Sequence, residues 1–388
     1  MGKETDDLLR IAAEISKQPP GREMDMLITA GERKACALIC IALAEAGVQA
    51  HSFTGSQAGF LTDTNHRNAK ILEINPERVQ EALANGVVPV VAGSQGVSAE
   101  RDVTFLGRGG SDTTAVALAH ALGADLCELY TDVSGVFSAD PRLVDKAQKM
   151  QRISFDELLE MTATGCPKPA MRSVEVAHNY QVPLHIRSAF TWESGTLVTD
   201  SGEPESDTSR TSPAPSSSVP SSSVPGAPAM EQPIIRAVTH DLSEAKVTVS
   251  DVPDKPGVSA ALFRALADEN VNVDMIVQNV SDQGMTDISF TVPTEDVARA
   301  VSLLEAGLLA DLGASAVATD ESVGRVSVVG AGMKSNPGVA ATMFETLADH
   351  GINIKMISTS AIRVSCVVSA DRAEEAVVIL HTAFGLDL

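Results

Sequence analysis

The strongest constraint on the fold of this chain is an internal repeat in its last third. The string PGVSAALFRALADENVNVDMI begins at Pro256, and the string PGVAATMFETLADHGINIKMI begins at Pro337, an offset of 81 residues. Phe263 and Phe344 recur in register, as do the Pro-Gly-Val, Leu-Ala-Asp and Met-Ile strings. Agreement this long at a fixed period indicates a duplicated structural unit.

Each copy of the repeat has the pattern of a small α+β module. A strand pattern precedes the Pro-Gly turn, an amphipathic helix follows it, and two further strands and a helix complete the copy. This order is most of a βαββαβ unit, in which helices pack on one face of a sheet. The Pro-Gly turn exposes backbone N–H groups that suit a ligand carboxylate. Simple helix initiation is the alternative for one copy, and the duplication favours ligand binding.

A Ser/Pro-rich segment separates this repeat from the rest of the chain. Residues 201–228 contain almost no large apolar side chains. Such a composition cannot bury enough surface to order itself, so it predicts a flexible linker. The predicted organisation is a domain over 1–200, a linker over 201–232, and modules over 233–321 and 322–388.

The first 200 residues alternate helical and strand patterns. Short apolar strands between helices predict an α/β domain with a mostly parallel sheet. Ligands bind such sheets beyond the carboxyl ends of the strands. The helical patterns cover 31–47, 76–86 and 113–123, and the strand patterns cover 48–54, 87–93, 102–107, 126–133 and 182–189.

Charge and cysteine content exclude several classes of function. The 51 acidic residues exceed the 29 basic ones, giving a net charge of −22 that argues against nucleic acid or an anionic membrane as the main partner. We see no apolar run of about 18 residues and no signal peptide at the start. The five cysteines form no CxxC pair, which argues against a disulfide scaffold or a zinc site. We expect a reduced, cytoplasmic protein without a dedicated metal site.

A glycine-rich loop, LGRGGSDTTA (106–115), carries the first candidate site. Arg108 offers a planar fork for a carboxylate or phosphate, and we expect Ser111 or Asp112 to cap the following helix. The loop matches neither a P-loop nor a dinucleotide fingerprint, and an ordinary turn before a helix is the alternative. The glycines that allow close backbone approach to a ligand are Gly107, Gly109 and Gly110.

Two other strings carry candidate residues. In YTDVSGVFSADPR (130–142), Gly135 turns the chain and an Asp-Pro pair precedes Arg142, an arrangement that suits a nucleotide with Arg142 near phosphate. An ordinary loop with an Asx-Pro turn is the alternative. In MLITAGERKA (26–35), we expect Glu32 and Arg33 to open a helix, with capping as the default role.

Taken together, these strings resemble the aspartate kinase family in order and spacing. The repeat modules resemble paired ACT domains, which are regulatory modules that bind amino acids. The closest similarity is to the actinobacterial, feedback-inhibited type, and it covers nearly the whole chain apart from the linker. The strings that carry the resemblance are MLITAGER (26–33), SFTGSQAG (52–59), RDVTFLGRGGSDTTAVALA (101–119), TDVSGVFSADPR (131–142) and MRSVEVA (171–177).

The resemblance implies a phosphotransferase. Such an enzyme transfers the γ-phosphoryl group of ATP to the β-carboxylate of L-aspartate, giving 4-phospho-L-aspartate, in the first step of lysine, threonine and methionine biosynthesis. In-line phosphoryl transfer needs positioning and charge neutralisation more than covalent catalysis, and Mg²⁺ would arrive largely on the ATP phosphates. The implied partners are L-aspartate, ATP and effector amino acids, threonine or lysine or both, together with self-association through the ACT domains.

The resemblance also assigns roles to individual residues. Arg108 would bind the carboxylates of aspartate, Glu32 its ammonium group, and Asp112 would organise the transition state as the catalytic residue. The implied aspartate-binding set is Thr5, Glu32, Arg108, Gly109, Gly110 and Ser111. The implied ATP-binding set is Thr131, Asp132, Phe137, Ser138, Ala139, Asp140, Pro141, Arg142 and Lys168.

Effector contacts are implied in both ACT modules. Actinobacterial relatives have an internal start after the linker, so Met230 would begin a separate regulatory subunit; an ordinary linker residue is the alternative. The contacts implied in the first module are Asp254, Lys255, Pro256, Gly257, Val258, Ser259, Asn272, Val273, Asp274 and Gln278. Those in the second are Val339, Ala340, Asn353, Ile354, Ser360 and Ala361.

Departures from the family pattern keep a second function open. The family's opening KYGGSS string, which supplies a phosphate-binding Lys, is not found, so we expect little turnover from the chain as written. Pro167 replaces a nucleotide-contacting Lys, with Lys168 one residue later, Phe137 replaces a frequent Tyr, and Ala361 replaces a Glu. We also expect the second ACT module to lack its final edge strand. The alternative is a non-catalytic, amino-acid-binding regulatory subunit, whereas another amino acid kinase would leave the ACT repeat unexplained.

Overall fold

The computed structural model of the protein describes residues 4–17, 19–200, 234–279, 284–331, 333 and 338–387. The predicted linker, 201–232, and Met230 lie outside these residues. By its internal contacts the chain divides into two compact units. The first contains 1–136, 149–162 and 167–207, and the second contains 137–148, 163–166 and 208–388.

The first unit has the alternating helices and strands that the sequence predicts. Its helices are α1 (Glu4–Ile15), α2 (Gly21–Glu45), α3 (Glu77–Ala84), α4 (Gly110–Leu122), α5 (Phe155–Ala163) and α6 (Met171–Tyr180). Its strands are β1 (Ala50–Phe53), β2 (Phe60–Thr62), β3 (Ile71–Ile74), β4 (Val88–Val91), β5 (Gln95–Ser98), β6 (Val103–Phe105), β7 (Cys127–Thr131), β8 (Arg152–Ile153), β9 (Leu184–Ser188) and β10 (Thr196–Val198).

Parallel ladders predominate among the described strands of the first unit, as the sequence predicts, and three antiparallel ladders accompany them. Parallel ladders join β1 to β4, β2 to β5, β7 to β9 and β8 to β10. Antiparallel ladders join β2 to β3, β5 to β6 and β9 to β10. The connections between the antiparallel neighbours are too short for the helical crossover that a parallel pair requires, so these strands fold back on each other.

The second unit contains two four-stranded antiparallel sheets with helices. Its helices are α7 (Val258–Asp268), α8 (Val297–Leu303), α9 (Leu309–Leu312), α10 (Gly338–Asp349) and α11 (Ala370–Ala383). The first sheet has the order β13 (Ile276–Gln278), β14 (Met285–Pro293), β12 (Glu244–Pro253) and β15 (Ala316–Asp320). The second has the order β17 (Met356–Thr359), β18 (Arg363–Ser369), β16 (Val323–Ala331) and β11 (Ile234–Asp241).

Strand β11 corrects the predicted boundary between the two modules. The prediction placed residues 233–241 in the first module, but β11 pairs with β16 of the second, with Val238 opposite Val328. In the first sheet the equivalent edge is filled by β15 of the same module. In the second sheet this edge, beside β16, is filled by β11. The first module is thus inserted between two parts of the second.

Separate apolar cores stabilise the two modules. Leu262 and Leu266 of α7 lie fully buried against β12 and β14, as their helical spacing predicts. In the second module, α10 and α11 cover β16 and β18, and the same core includes Ala139 and Val144 from the segment 137–148. Among the described residues, no helix is long and apolar enough to cross a membrane.

Candidate functional site

The glycine-rich loop after β6 forms the centre of the candidate site in the first unit. Gly107 and Gly109 have φ values of 91° and 69°, in the left-handed region that favours glycine. A Cβ atom on Gly109 would clash with that of Ala170. The loop therefore requires glycine both for its backbone conformation and for close packing on Ala170, whereas the close approach to a ligand stays a prediction.

The first turn of α4 differs from the predicted cap. Gly109 is the N-cap residue and no side chain caps the helix. The Asp112 carboxylate instead accepts a hydrogen bond from the backbone N–H of Ala170, with an N···Oδ2 distance of 3.0 Å. This bond brings the segment that contains Lys168 next to the start of α4. Because the left-handed Gly109 occupies the N-cap position, Asp112 does not cap the helix. Its side chain binds the backbone of another segment instead.

The loop after β4 meets the glycine-rich loop. The N–H of Ser94 donates to Thr114 Oγ1 of α4 at 3.0 Å. A Cβ atom on Gly93 would lie 2.8 Å from Ser111 Oγ, so the Ser111 side chain lies directly beside the backbone at Gly93. Two loops at strand ends thus converge on the exposed Ser111.

Arg108 is the cationic residue of this loop. Its side chain is exposed and forms no hydrogen bond or ion pair with another residue of the described chain. A guanidinium group with five donors and no internal partner can bind a planar carboxylate or phosphate through two of them.

Glu32 lies inside α2 rather than at its start, which corrects the prediction that it opens a helix. The pattern from 31 to 47 missed the first ten residues of this helix because they include Gly21 and three charged side chains. Glu32 is half-buried, and burial raises the pKa of its carboxyl group. The pKa of the Cys36 thiol, one helical turn on, is raised to about 11 by burial and by Glu32.

A small cavity of about 50 Å³ lies between α2 and the loop after β1. The Arg33 guanidinium donates to Thr29 Oγ1 at 2.8 Å, while its Nε is buried without a partner among the described residues. The sequence predicted only a capping role for Arg33. Its position in the TAGER string is the signal that could have identified it as a residue of this cavity. The cavity is lined by Arg33, Cys36, Ser52, Phe53, Thr54 and Gln57.

Thr5 is not brought to these residues by any contact in the described chain. It lies in the first turn of α1, exposed, and its side chain makes no hydrogen bond with another described residue. Helix α1 packs on α2 through Ala12, Met24 and Ile28. A substrate contact of Thr5 stays a prediction.

Thr131 and Asp132 end β7 as predicted. The Thr131 carbonyl accepts from the N–H of Ala189, which follows β9, at 2.8 Å. The predicted turn at Gly135 is confirmed, since φ is 147° and a Cβ atom would lie 2.6 Å from Thr196 Oγ1. Asp132 stays exposed beyond the strand end, where a ligand of a parallel pair would bind.

The segment from Phe137 to Gln148 belongs to the second unit. The Asx-Pro turn, which was the alternative interpretation of this loop, is present, because Asp140 Oδ1 accepts from the N–H of Arg142 at 2.9 Å. The Arg142 guanidinium also donates to this carboxylate and holds the pKa of Asp140 below its usual value. Ser138 and Ala139 were predicted to bind ATP, but both side chains are buried within the second unit. Their burial anchors the segment in this unit. The sequence did not predict it, because local sequence does not show which side of a loop is covered by another element.

The predicted effector residues fall into exposed and buried groups. In the first module, Ser259 Oγ donates to Gln278 Oε1 at 2.9 Å, which joins the start of α7 to the end of β13. Asn272 and Asn353 are exposed at equivalent positions of the two copies. Val339 was expected to contact an effector, yet its side chain belongs to the apolar core. Its position on the inward face of α10 places it there.

Asp274 is already engaged by a buried arginine. Its carboxylate forms an ion pair with Arg325, which is almost fully buried and also contacts Asp241 and Glu244 at 3.3 and 3.2 Å. Burial raises the pKa of Glu244, and the nearby Arg325 charge partly offsets this. Arg325 further donates to the carbonyl of Ala163. Within the described chain, no cluster of three or more His, Cys, Asp or Glu side chains could hold a metal ion.

Comparisons with known proteins give matches over the whole chain. Residues 1–188 match the amino acid kinase family, and residues 247–308 and 326–384 match an ACT domain. The chain is 49% identical to aspartokinase of Mycolicibacterium smegmatis over 389 residues, which cover 100% of this chain and 87% of the relative. It is 44% identical to aspartate kinase of Pseudomonas putida, again over 100% of this chain and 88% of the relative.

A solved structure shares the same fold. The crystal structure of E. coli aspartokinase III in complex with aspartate and ADP superposes with a TM-score of 0.77 at 25% identity. The match covers 98% of this chain and 81% of that one.

Proposed function

This chain belongs to the amino acid kinase family as an aspartokinase, and we propose that the glycine-rich loop of its first unit binds L-aspartate for phosphorylation by MgATP. The observation that carries the proposal is the state of Arg108, an exposed and unpartnered guanidinium at the start of α4. A dicarboxylate substrate supplies the planar anion that this group lacks within the described chain.

Three other predicted residues would complete a site for an amino acid with two carboxylates. Ser111 lies beside Gly93 and offers a hydroxyl donor. Glu32 would accept from the ammonium group of the substrate. Burial raises the pKa of its carboxyl group, and the positive charge of a bound ammonium would oppose this shift and favour the carboxylate. Asp112, fixed by the N–H of Ala170, holds its carboxylate at the first turn of α4. There it would organise the transferring group.

The nucleotide would bind at the ends of strands and on the turn that follows. Thr131 and Asp132 would contact ATP from the end of β7, and the other proposed contacts are Phe137 and the Asp140–Arg142 turn. Lys168, near the Asp112 anchor, would stand in for the cation that Pro167 replaces. The metal is part of the MgATP substrate, so the protein needs cationic donors around the phosphates rather than a cage of ligands.

The ACT modules would bind an end-product amino acid. The Ser259–Gln278 pair and the exposed Asn272 and Asn353 support effector contacts in this region. We propose threonine or lysine as the effector and self-association through these modules. An internal start at Met230, which would give a separate regulatory subunit, also stays a proposal.

A hydroxamate-trapping assay tests the substrate assignment. L-Aspartate and MgATP should give an acyl phosphate, at the low rate expected of the chain as written, and hydroxylamine converts this product to a coloured hydroxamate. Arg108→Ala should lower kcat/KM for aspartate by about 10- to 150-fold, because the loss of a charge-assisted, two-donor contact is worth about 1.5–3 kcal/mol.

The matched control is Arg78→Ala. Arg78 is an exposed arginine on α3 that lies over the Phe53 ring, and its removal should leave the kinetics for aspartate unchanged. Equal activity of the wild type and Arg108→Ala would disprove the assignment of the carboxylate site.

A further inference from the structure

Ser138 is held by hydrogen bonds on all of its polar atoms. It is 4% exposed, its N–H donates to the Gln148 carbonyl at 2.9 Å, and its own carbonyl accepts from the N–H of Val238 in β11 at 2.8 Å. Its Oγ accepts from the N–H of Gln148 at 2.8 Å and lies 2.8 Å from Nε2 of His381. A serine so fully bonded fixes the backbone on either side of it.

The partner of Ser138 on helix α11 is a fully buried histidine. The Nδ1 atom of His381 lies 2.7 Å from Asp387 Oδ1, and Thr382 Oγ1 donates to the other oxygen of that carboxylate at 2.8 Å. Both contacts hold the pKa of Asp387 below its usual value, so the carboxylate is charged and accepts from Nδ1–H.

The hydrogen-bond donors and acceptors of Ser138, His381 and Asp387 fit a single arrangement. With Nδ1–H given to Asp387, a neutral His381 has an acceptor at Nε2, which takes the hydroxyl hydrogen of Ser138. The Ser138 oxygen is then left to accept from Gln148. A protonated His381 would donate at Nε2 and leave the Ser138 hydroxyl hydrogen without an acceptor. The neutral imidazole therefore satisfies every group.

The sequence places this bonded serine inside the predicted nucleotide segment. Phe137 precedes it, and the Asp140–Arg142 turn follows two residues later. Ala139 and Val144 pack in the core of the second ACT module beside α10 and α11. Residues 137–148 thus match the kinase family by sequence, and by contact they belong to the unit that contains the ACT modules.

We propose that His381, oriented by Asp387, is a positioning residue for the nucleotide segment. By holding Ser138 it fixes Phe137 and the Asp140–Arg142 turn, so the affinity for MgATP depends on the last helix of the second ACT module. The proposal rests on the proposed function, because it takes this segment to contact ATP. A nucleophilic role for the Ser-His-Asp order is ruled out by the burial of Ser138 Oγ and its bond from Gln148, which leave no room for a substrate.

Substitutions in the full chain test the proposal through nucleotide affinity. Ser138→Ala and His381→Phe should each weaken MgADP binding, measured by calorimetry, by at least about 5- to 10-fold, because both remove the buried hydrogen bond between Ser138 and His381. Ser138→Ala also removes the bond from the Gln148 N–H, so its effect should be the larger. KM for MgATP should rise by a similar factor while KM for aspartate stays constant. Ser138→Thr keeps the hydroxyl group and should restore wild-type affinity.

A double variant separates a specific contact from general loosening. Ser138→Ala combined with His381→Phe should weaken MgADP binding no more than Ser138→Ala alone, because the bond that His381→Phe removes is already lost in Ser138→Ala. The matched control is His350→Phe directly after α10, an exposed histidine whose ring nitrogen Nδ1 lies 2.8 Å from the Thr346 carbonyl, and it should leave MgADP affinity unchanged.

The following outcomes would overturn the positioning role of His381 or the proposed function. Unchanged MgADP affinity in folded Ser138→Ala would overturn the positioning role, as would equal rises in KM for both substrates. If His381→Phe fails to fold, the Ser138→Ala and Ser138→Thr pair gives the answer alone. A wild-type chain that binds MgADP but phosphorylates no aspartate would refute the proposed function and leave the positioning role to be judged on MgADP affinity.

Discussion

The two ACT modules have the same pattern of elements but carry opposite charges where they contact each other. Glu244 of the first copy and Arg325 of the second occupy equivalent positions, 81 residues apart, and form an ion pair. Asp274 and Lys355 are also equivalent; Asp274 pairs with Arg325, and Lys355 pairs with Asp320 of the first module at 2.7 Å. Met275 and Met356, a third equivalent pair, share an apolar cluster.

This difference explains why a duplicated module pairs with its own copy. Two identical modules would place like charges together at these positions. Opposite charges at equivalent sites favour the contact between first and second modules over one between two first modules, because like charges brought close repel each other. The repeat thus supplies the shape of the contact, and the divergence after duplication supplies its specificity.

The largest expected effect comes from Arg325. Arg325→Met should lower the free energy of unfolding by about 3–5 kcal/mol, because it leaves Glu244 buried without its cation. The loss should grow as pH rises from 5 to about 8: an unpaired Glu244 has a raised pKa in the folded state, so the stability conferred by its protonated form is lost as it ionises. Urea unfolding at both pH values measures this.

The control for Arg325 lies on the surface of α11. Arg372→Met removes an exposed guanidinium that pairs with Glu375, and it should leave stability unchanged. Adding Glu244→Gln to Arg325→Met should recover part of the loss. If Arg325→Met proves as stable as the wild type, the buried charge contact does not hold the modules together.

The equivalent core leucines test whether the two modules are equally packed. Leu266 and Leu347 are 81 residues apart, and each is fully buried on the first helix of its copy. Leu266→Ala and Leu347→Ala should each cost about 2–5 kcal/mol, from lost transfer energy and the cavity left behind. Thermal unfolding followed by circular dichroism should show similar losses, and a much smaller loss in one copy would show that its core relaxes.

The effector contacts should differ between the modules. Ser259 and Gln278 of the first copy correspond to Ala340 and Thr359 of the second, so only the first has the bonded polar pair. We expect Ser259→Ala to raise the concentration of threonine or lysine needed for half inhibition by about 5- to 10-fold, the effect of one hydrogen bond. Ala340→Ser is the matched change and should have little effect. Equal effects of both changes would place the effector elsewhere.

The smallest expected effect is at Asp320. Its bond with Lys355 holds the pKa of this carboxyl group below its usual value of 3.8. A depressed pKa adds stability that is fully present above the usual value of 3.8 and is lost as the pH falls through the lower folded-state pKa, so Asp320→Asn should cost about 0.5 kcal/mol at neutral pH and progressively less on acidification below pH 3.8. Unfolding curves across that range measure it; a constant difference would mean that the charge is not responsible.

Much of the fold follows from local patterns in the sequence. The repeat, the helices α3, α4 and α7, and the strands β1, β4, β7 and β9 were predicted near their observed places, because apolar periodicity and turn residues act over a few positions. The glycine-rich loop was predicted for the same reason, since Gly107 and Gly109 adopt the left-handed backbone that suits glycine.

Only the tertiary structure decided which segments meet. Residues far apart in the chain determine the pairing of β11 with β16, the burial of Ser138 against His381, and the cluster around Arg325. Backbone groups at a strand edge pair with any strand, so the partner is chosen by which edge is open and which face is apolar. A buried charge likewise depends on carboxylates contributed by other elements. These choices depend on distances in space that residue order does not contain.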